Sequence, residues 1–194
     1  MHELLQKANE LFLAKQFSDA IVLYDKILQK EPDNIDALNN KGYALGKLKR
    51  HSEAIQCYDA GLIISPNEKT LLINKISSLR KTKAYQDALN HCQQILNDNP
   101  DDNIVLYHKE RILFALGNYF ESIQCCDKIL LSYPQNAEVL FDKAASLAKL
   151  QNHTETLLTL ADAVAADPHL KPKAKNHSAF SQYNANQEFL RIVS

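Results

Sequence analysis

The residue types that most often carry out chemistry in proteins are scattered along this chain. Its seven histidines stand at positions 2, 51, 91, 108, 153, 169 and 177, and none has a cysteine or carboxylate at metal-ligand spacing. The chain has only four glycines, and they form no glycine-rich loop of the kind that holds a phosphate. We therefore expect no enzyme activity, no cofactor and no metal site.

The cysteines stand at positions 57, 92, 125 and 126. They lack the paired C-x-x-C spacing that is typical of zinc sites. The regular apolar pattern around them argues against a disulfide framework, because small disulfide-rich domains lack such a core. We predict that all four are buried thiols.

The overall charge argues against nucleic acid as a partner. With 22 basic and 23 acidic residues, the chain has no excess of positive charge to form a basic face. No apolar run approaches the ~20 residues that span a membrane, and we see no signal segment ahead of the first helical pattern. We expect a cytoplasmic protein that binds neither nucleic acid nor membrane.

Prolines mark a regular period along the chain. Five of them stand 34 residues apart: Pro32, Pro66, Pro100, Pro134 and Pro168. Leucine fills the fourth and the eleventh residue of every period, from Leu4 and Leu11 to Leu140 and Leu147. An internal repeat of this length predicts an array of stacked structural units, in which each unit contacts its neighbours.

Each period contains two stretches in which apolar residues recur at steps of three and four, with a short polar break between them. This pattern predicts two amphipathic helices of about 13 residues joined by a tight turn. The nineteenth residue is always acidic, which suits the positive end of the second helix. Just before it, we expect Ser18, Ser52 and Thr154 to be N-caps.

The proline of each period prevents the second helix from continuing. Aspartate and asparagine residues beside the prolines are expected to form the turn and cap the helix that follows, namely Asp33, Asn34, Asn67, Asp101, Asp102, Asn103 and Asn136.

The second period carries Gly42, Leu45, Ala54, Tyr58 and Pro66 where the tetratricopeptide repeat has Gly, Tyr, Ala, an aromatic residue and Pro. The chain closely resembles this family over residues 1–170, and its Asn-Lys-Gly run is similar to archaeal and bacterial arrays. The seventh residue of each period is Lys, where the family more often has Leu. We expect its stem to lie along the helix and its ammonium group to stay in water.

The resemblance implies an all-α fold, a right-handed superhelical α-solenoid of five 34-residue helix-turn-helix repeats with C-terminal capping helices. The repeats would be residues 1–34, 35–68, 69–102, 103–136 and 137–170, and the capping helices residues 171–194. We expect the last helix to end near Val193 and to cover the fifth repeat. As an alternative, this end folds back into the groove of the protein itself.

Substitutions at two positions of the period depart from the family pattern where the paired helices approach each other. Glu110 stands at the eighth residue of its period, where a small residue is usual. We expect it to reach out to a cation or to splay the fourth repeat locally, and a functional acid is a further reading. Ser122 and Thr156 replace alanine at the twentieth residue, so the fourth and fifth repeats are expected to pack less regularly.

The resemblance implies that the first helices line a concave groove, which makes the chain a scaffold for a protein or peptide ligand. Amides suit an extended backbone, and tyrosine and arginine suit anchoring contacts. The basic residues Arg80, Lys81 and Arg111 indicate a ligand that carries a carboxylate. The expected groove residues are Asn39, Asn40, Tyr43, Asn74, Arg80, Tyr107, His108 and Arg111.

A different class of function is self-association through an uncapped N-terminal repeat, which would use Leu5, Phe12 and Leu13. The chain would then be a structural module, whereas a scaffold is expected to be a monomer or a weak homo-oligomer. A third reading is a regulator of an enzyme encoded elsewhere.

Co-chaperone tetratricopeptide domains hold a chain-terminal carboxylate pair with Lys, Asn, Asn, Lys and Arg. The corresponding residues in this chain are Leu5, Asn9, Asn40, Thr70 and Asn74, so the three cations are missing. We therefore predict no carboxylate clamp of the chaperone type. The check is a titration with a peptide that ends in aspartate with a free carboxylate. Micromolar binding would show that this prediction is wrong.

Overall fold

The computed structural model describes residues 2–194, and all regular structure within them is helical. The all-α prediction is therefore confirmed. The α-helices are α1 (His2–Leu13), α2 (Phe17–Leu28), α3 (Ile35–Lys47), α4 (His51–Ile64), α5 (Lys69–Lys81), α6 (Tyr85–Asp98), α7 (Asn103–Leu116), α8 (Tyr119–Ser132), α9 (Ala137–Lys149), α10 (His153–Ala166), α11 (Leu170–Asn176) and α12 (Gln187–Val193). A short 3-10 helix covers Ser181–Tyr183.

The helices form two compact units, which divide between Ile95 and Leu96. In the first unit each helix from α1 to α5 packs against the next, and the first helices of successive periods also touch, α1 with α3 and α3 with α5. In the second unit α7 to α10 pack in the same way, α7 touches α9, and α11 and α12 pack against α10.

A left-handed residue closes the turn between the two helices of every period. It is the fifteenth residue in each case: Lys15, Lys49, Lys83 and Gln151 have φ between 60° and 63°, and Gly117 has φ 84°. The next backbone N–H donates to the carbonyl five residues earlier, as from Arg50 to Leu45 at 2.9 Å. This is the Schellman arrangement that ends a helix and satisfies its last carbonyl groups.

The helix that follows each proline is capped by an acceptor side chain. The predicted caps Asn34, Asp102 and Asn136 accept backbone N–H bonds from the first turns of α3, α7 and α9. In α5 the prediction is wrong by one residue, because Glu68 and not Asn67 accepts the bond, from Thr70 at 3.3 Å.

The caps predicted for the second helices are wrong. Because the turn is tight, α2, α4 and α10 begin at the seventeenth residue of the period. Ser18, Ser52 and Thr154 therefore lie inside the first helical turn. The N-cap residues are instead Gln16, Arg50 and Asn152, and their side chains form no capping hydrogen bond.

Small residues at the eighth position let the paired helices approach closely. Gly42 is the clearest case, because a Cβ atom there would lie 2.6 Å from the Tyr58 ring, where no carbon fits. Ala8 and Ala144 have no exposed surface at all. The four cysteines are buried and free, which confirms the prediction of buried thiols.

The lysine at the seventh residue of the period has a partner that the sequence analysis missed. Its ammonium group pairs with an aspartate in the second helix of the preceding period, 16 residues earlier. The three pairs are Lys41–Asp25 at 2.6 Å, Lys75–Asp59 at 2.7 Å and Lys143–Asp127 at 2.7 Å. The sequence feature that could have predicted these ion pairs is the aspartate that recurs at the twenty-fifth residue of the period.

The segment after Pro168 completes an apolar core. Ala174, Phe180, Tyr183, Phe189 and Val193 are buried against α9 and α10. The final helix ends at Val193, where the apolar spacing places it. The Tyr183 hydroxyl also meets His153 Nδ1 at 2.8 Å, which ties this segment to the start of α10.

The backbone strain of the left-handed residue in each turn can be tested by substitution. A non-glycine residue in this conformation costs about 1 kcal/mol, and glycine avoids it at some entropic cost in the unfolded chain. We expect Lys83→Gly to raise the free energy of unfolding by about 0.5 kcal/mol and Gly117→Ala to lower it by about 1 kcal/mol. Urea unfolding monitored by circular dichroism measures both. Equal effects of the same sign would contradict this account of the turn.

Candidate functional site

Four asparagines of the first unit form a continuous hydrogen-bonded row, which we call the asparagine ladder (Asn9, Asn39, Asn40 and Asn74). Asn74 Nδ2 donates to Asn39 Oδ1 at 2.9 Å, and Asn39 Nδ2 donates to Asn40 Oδ1 at 3.2 Å. Asn40 Nδ2 in turn donates to Asn9 Oδ1 at 3.1 Å. The ladder therefore crosses α5, α3 and α1, the three first helices of this unit.

A buried tyrosine donates a hydrogen bond to the Asn9 end of the ladder. The Tyr24 hydroxyl donates to Asn9 Oδ1 at 2.7 Å, and burial raises the pKa of Tyr24 to about 12, so the hydroxyl keeps its proton. Because Asn9 Oδ1 is the acceptor, Asn40 must turn its amide nitrogen towards it. The same constraint passes from Asn40 to Asn39 and from Asn39 to Asn74.

The ladder keeps hydrogen-bonding capacity for a ligand. A side-chain amide has two N–H donors and a carbonyl oxygen with two lone pairs, and each ladder bond uses one donor. All four asparagines are partly exposed to solvent. The second N–H of each amide group, together with Asn74 Oδ1, can therefore meet the polar groups of an extended peptide backbone.

Tyr43 lies beside the ladder on α3. Its side chain is 37% exposed, its ring lies 5.4 Å from the Phe12 ring, and the Lys47 ammonium group sits 4.9 Å from its centroid. These contacts hold the ring in place while one side stays open to solvent. Arg80 is half-buried on α5. Of the eight expected groove residues, Asn39, Asn40, Tyr43, Asn74 and Arg80 belong to this first unit.

The other expected groove residues, Tyr107, His108 and Arg111, lie on α7 in the second unit. Arg111 stacks its guanidinium 4.1 Å from the Tyr107 centroid, and its Nη2 atom lies 2.8 Å from Asp142 Oδ2 and 3.2 Å from a Glu138 carboxylate oxygen. Its charge is thus already balanced within the chain. The inference that Arg111 indicates a carboxylate on the ligand loses its basis, because two carboxylates of the chain occupy the guanidinium.

Glu110 is buried instead of reaching out to solvent or splaying its helix pair. It is 1% exposed, one of its carboxylate oxygens lies 3.5 Å from the Ser122 hydroxyl, and that hydroxyl lies 3.1 Å from the Ser146 hydroxyl. Glu110 does meet a cation, because Arg111 Nε lies 3.3 Å from its carboxylate, but the pair forms at a buried carboxylate and not in solvent. Ser122 and Thr156 are both fully buried, and Thr156 donates to the Asn152 carbonyl at 2.7 Å.

Burial raises the pKa of Glu110 to about 9, and the Asp142 charge and a hydrogen bond with Asp142 act in the same direction. The Arg111 guanidinium, 3.3 Å from Glu110, opposes the shift only in part. Glu110 is consequently a neutral acid at pH 7 that can donate to Asp142. Because solvent does not reach it, a dissolved substrate cannot reach it either.

The C-terminal segment covers part of the face that α9 would otherwise expose. The Phe141 ring is fully buried, with the His177 and Phe180 rings each 5.5 Å from it and the Lys173 ammonium group 4.2 Å from its centroid. Lys173 also pairs with Glu138 at 2.9 Å. A ligand therefore cannot use Phe141 while this segment is in place.

The three residues of the self-association hypothesis differ in how far they are exposed to solvent. Phe12 packs between two apolar clusters of the first unit and lies 5.8 Å from the Phe17 ring, and Leu5 packs against one of these clusters. Leu13 alone is well exposed, at 78%. A single exposed leucine is common on protein surfaces and does not make an apolar patch.

The sequence analysis missed two members of the hydrogen-bonded network, Asn9 and Tyr24. The signal for Asn9 was its distance from Asn40, because the ninth residue of one period meets the sixth residue of the next, 31 positions later. Arg111 and Asp142 meet at the same spacing in the second unit. Within residues 2–194 no three potential metal ligands converge, and no helix there has the length and apolar content that a membrane crossing requires.

Helix pairs that recur every 34 residues define a helical-repeat protein. The family model of the tetratricopeptide repeat matches residues 35–68. The second period of the chain is therefore a tetratricopeptide repeat, and the other periods share its helix-turn-helix arrangement.

Solved structures share the fold along most of the chain. YrrB, described as a tetratricopeptide repeat protein with an unusual peptide-binding site, is 20% identical, with a TM-score of 0.74 over 90% of this chain and 91% of its own. A tetratricopeptide repeat protein from Parabacteroides merdae is also 20% identical, with a TM-score of 0.85 over 98% of this chain and 76% of its own. MamA from Desulfovibrio magneticus is 16% identical, with a TM-score of 0.80 over 86% and 95%. No curated protein matches the sequence.

Glu110 makes the stability of the protein depend on pH. Its pKa is higher in the folded chain than in the unfolded chain, so the unfolded chain loses this proton first as the pH rises. The stabilisation is complete below about pH 4.5 and is lost towards pH 9, with a limiting slope of about 1.4 kcal/mol per pH unit.

We expect Glu110→Gln, which keeps a neutral donor towards Asp142, to raise stability at pH 8 and to leave it nearly unchanged at pH 5. Urea unfolding at both values measures the difference, with exposed Glu121→Gln on α8 as the control. An identical gain at pH 5 and pH 8 would show that ionisation of Glu110 is not the cause.

Proposed function

We propose that this protein is a non-catalytic scaffold that binds an extended segment of a partner protein across the first helices of its first unit. The observation that carries the proposal is the asparagine ladder, whose amides are held in one orientation while each keeps a donor for a ligand. Side-chain amides are suited to a peptide backbone because they offer both a donor and an acceptor.

The energetic case rests on preorganisation. A peptide that binds to mobile side chains loses affinity to the cost of ordering them, about 0.5–1.5 kcal/mol for each flexible group. In the ladder, the hydrogen bonds among the asparagines and to Tyr24 already order the amides in the folded protein, so the ordering cost falls on folding and not on binding. Each new hydrogen bond to the ligand then contributes about 0.5–1.5 kcal/mol.

The unusual peptide-binding site described for YrrB supports a peptide as the class of ligand, because that protein shares the fold. The carboxylate clamp is not part of this proposal, because Leu5, Thr70 and Asn74 cannot supply its cations. The self-association hypothesis is weaker, since Phe12 and Leu5 are half-buried against the first unit and only Leu13 among the three is well exposed.

A comparison of captured proteins tests the ladder. Immobilised wild-type protein and an Asn39→Ala/Asn74→Ala variant are incubated with lysate of the native cell, and quantitative mass spectrometry measures what each retains. We expect at least one partner to be depleted about fivefold or more on the variant, because removing two amides forfeits about two hydrogen bonds.

The matched control is Asn67→Ala/Asn90→Ala, which removes two exposed amides outside the ladder. Circular dichroism establishes that both variants remain folded. Equal retention of every captured protein by the ladder variant and the control variant would refute the proposal.

A further inference from the structure

Next to the asparagine ladder, the first unit contains a cavity of about 490 Å³. It lies between the C-terminal ends of α3 and α5 and the start of α4. Its wall includes Lys47, Lys49, Lys81 and His51, with Asn74 and Ser77 on the side of the ladder, and no carboxylate lines it. A cavity with three ammonium groups and no acid attracts an anion.

The three lysines differ from the paired cations of this unit. Lys41, Lys75 and Arg50 are each paired with a carboxylate of the chain, whereas within residues 2–194 Lys47, Lys49 and Lys81 form no ion pair. Lys47 is placed by its contact with the Tyr43 ring, and Lys49 is placed by the left-handed turn that it occupies. All three side chains therefore line the cavity without a carboxylate partner among residues 2–194.

The polar groups of the wall support the same ligand class. His51 Nδ1 is buried and makes no hydrogen bond within the described residues. Burial and the nearby Lys81 charge both lower the pKa of His51, so the ring is neutral at pH 7 and can donate one N–H without adding charge. The Ser77 and Ser78 side chains add hydroxyl donors.

We infer that this cavity receives an anionic side chain of the segment bound along the asparagine ladder, so that the protein selects partners with an acidic residue at one fixed register. The inference rests on the proposed function, because Asn74 belongs both to the ladder and to the cavity wall. Carboxylate and phosphoryl groups share the required chemistry.

Three end-capped octapeptides serve as probes: one alternates glycine with glutamate, one glycine with glutamine, and one glycine with phosphoserine. The end caps remove terminal charges, so that binding cannot come from a chain end. Each peptide is titrated into the full-length ¹⁵N-labelled protein and followed by amide chemical shifts. We expect the glutamate or phosphoserine peptide to shift the signals of residues 46–51 and 77–81, and to bind about fivefold more tightly than the glutamine peptide.

The Lys47→Ser/Lys81→Ser variant should lose this preference, about fivefold in Kd. The matched control, Lys26→Ser/Lys30→Ser, removes the same charge from exposed positions outside the cavity and should keep the preference. A stronger response to phosphoserine than to glutamate supports the cavity and identifies a phosphorylated partner segment. Equal binding of the glutamate and glutamine peptides, equal losses in the two lysine variants, or no shifts at residues 46–51 and 77–81 would overturn the inference.

The same titration separates this inference from the proposed function. The Asn39→Ala/Asn74→Ala variant should weaken all three peptides to a similar extent while the preference for the anion persists. If the ladder variant binds all three like the wild type, the proposed function fails while the anion cavity stands. If the ladder variant weakens all three and no anion is preferred, only the cavity inference fails.

Discussion

The close approach of the two helices in each period is the constraint on which the rest of the structure depends. Where the eighth residue is Gly42, the Tyr58 ring fills the space that a Cβ atom would need. Where it is Glu110, the facing helix carries Ser122, whose hydroxyl lies 3.5 Å from the carboxylate. Such packing fixes how successive first helices meet, which places the ninth residue of one period against the sixth of the next.

This contact between first helices has opposite outcomes in the two units. In the first unit it joins Asn9 to Asn40, two neutral amides that keep donors for a ligand. In the second unit it joins Arg111 to Asp142, and Glu138 completes the neutralisation of the guanidinium. Because the backbone contact is the same, two side-chain choices decide whether that face can bind a ligand or is satisfied internally.

The sequence predicts most of the fold because period and apolar spacing are properties of single helices. The sequence is a poor guide to the left-handed residue of each turn. Lysine or glutamine occupies that position in four of the five turns, and only Gly117 is a residue type that indicates it. Glu110 was misread because its compensation, Ser122, lies on another helix. For the site, the expected residues Asn39, Asn40 and Asn74 do lie together in the ladder, whereas the pairing of Arg111 depends on contacts between periods that propensity does not encode.

Backbone recognition and side-chain recognition require different surfaces, and the proposed site combines both. Amides bind any extended backbone, so the ladder alone would give affinity with little selectivity. Selectivity then requires groups that distinguish one side chain from another, and Tyr43 with the unpaired Lys47, Lys49 and Lys81 meets that requirement beside Asn74. Because an exposed ion pair contributes less than about 1 kcal/mol, a single acidic residue would bias partner choice without making the complex permanent. Such a division between a general and a selective surface suits a scaffold whose partners must exchange.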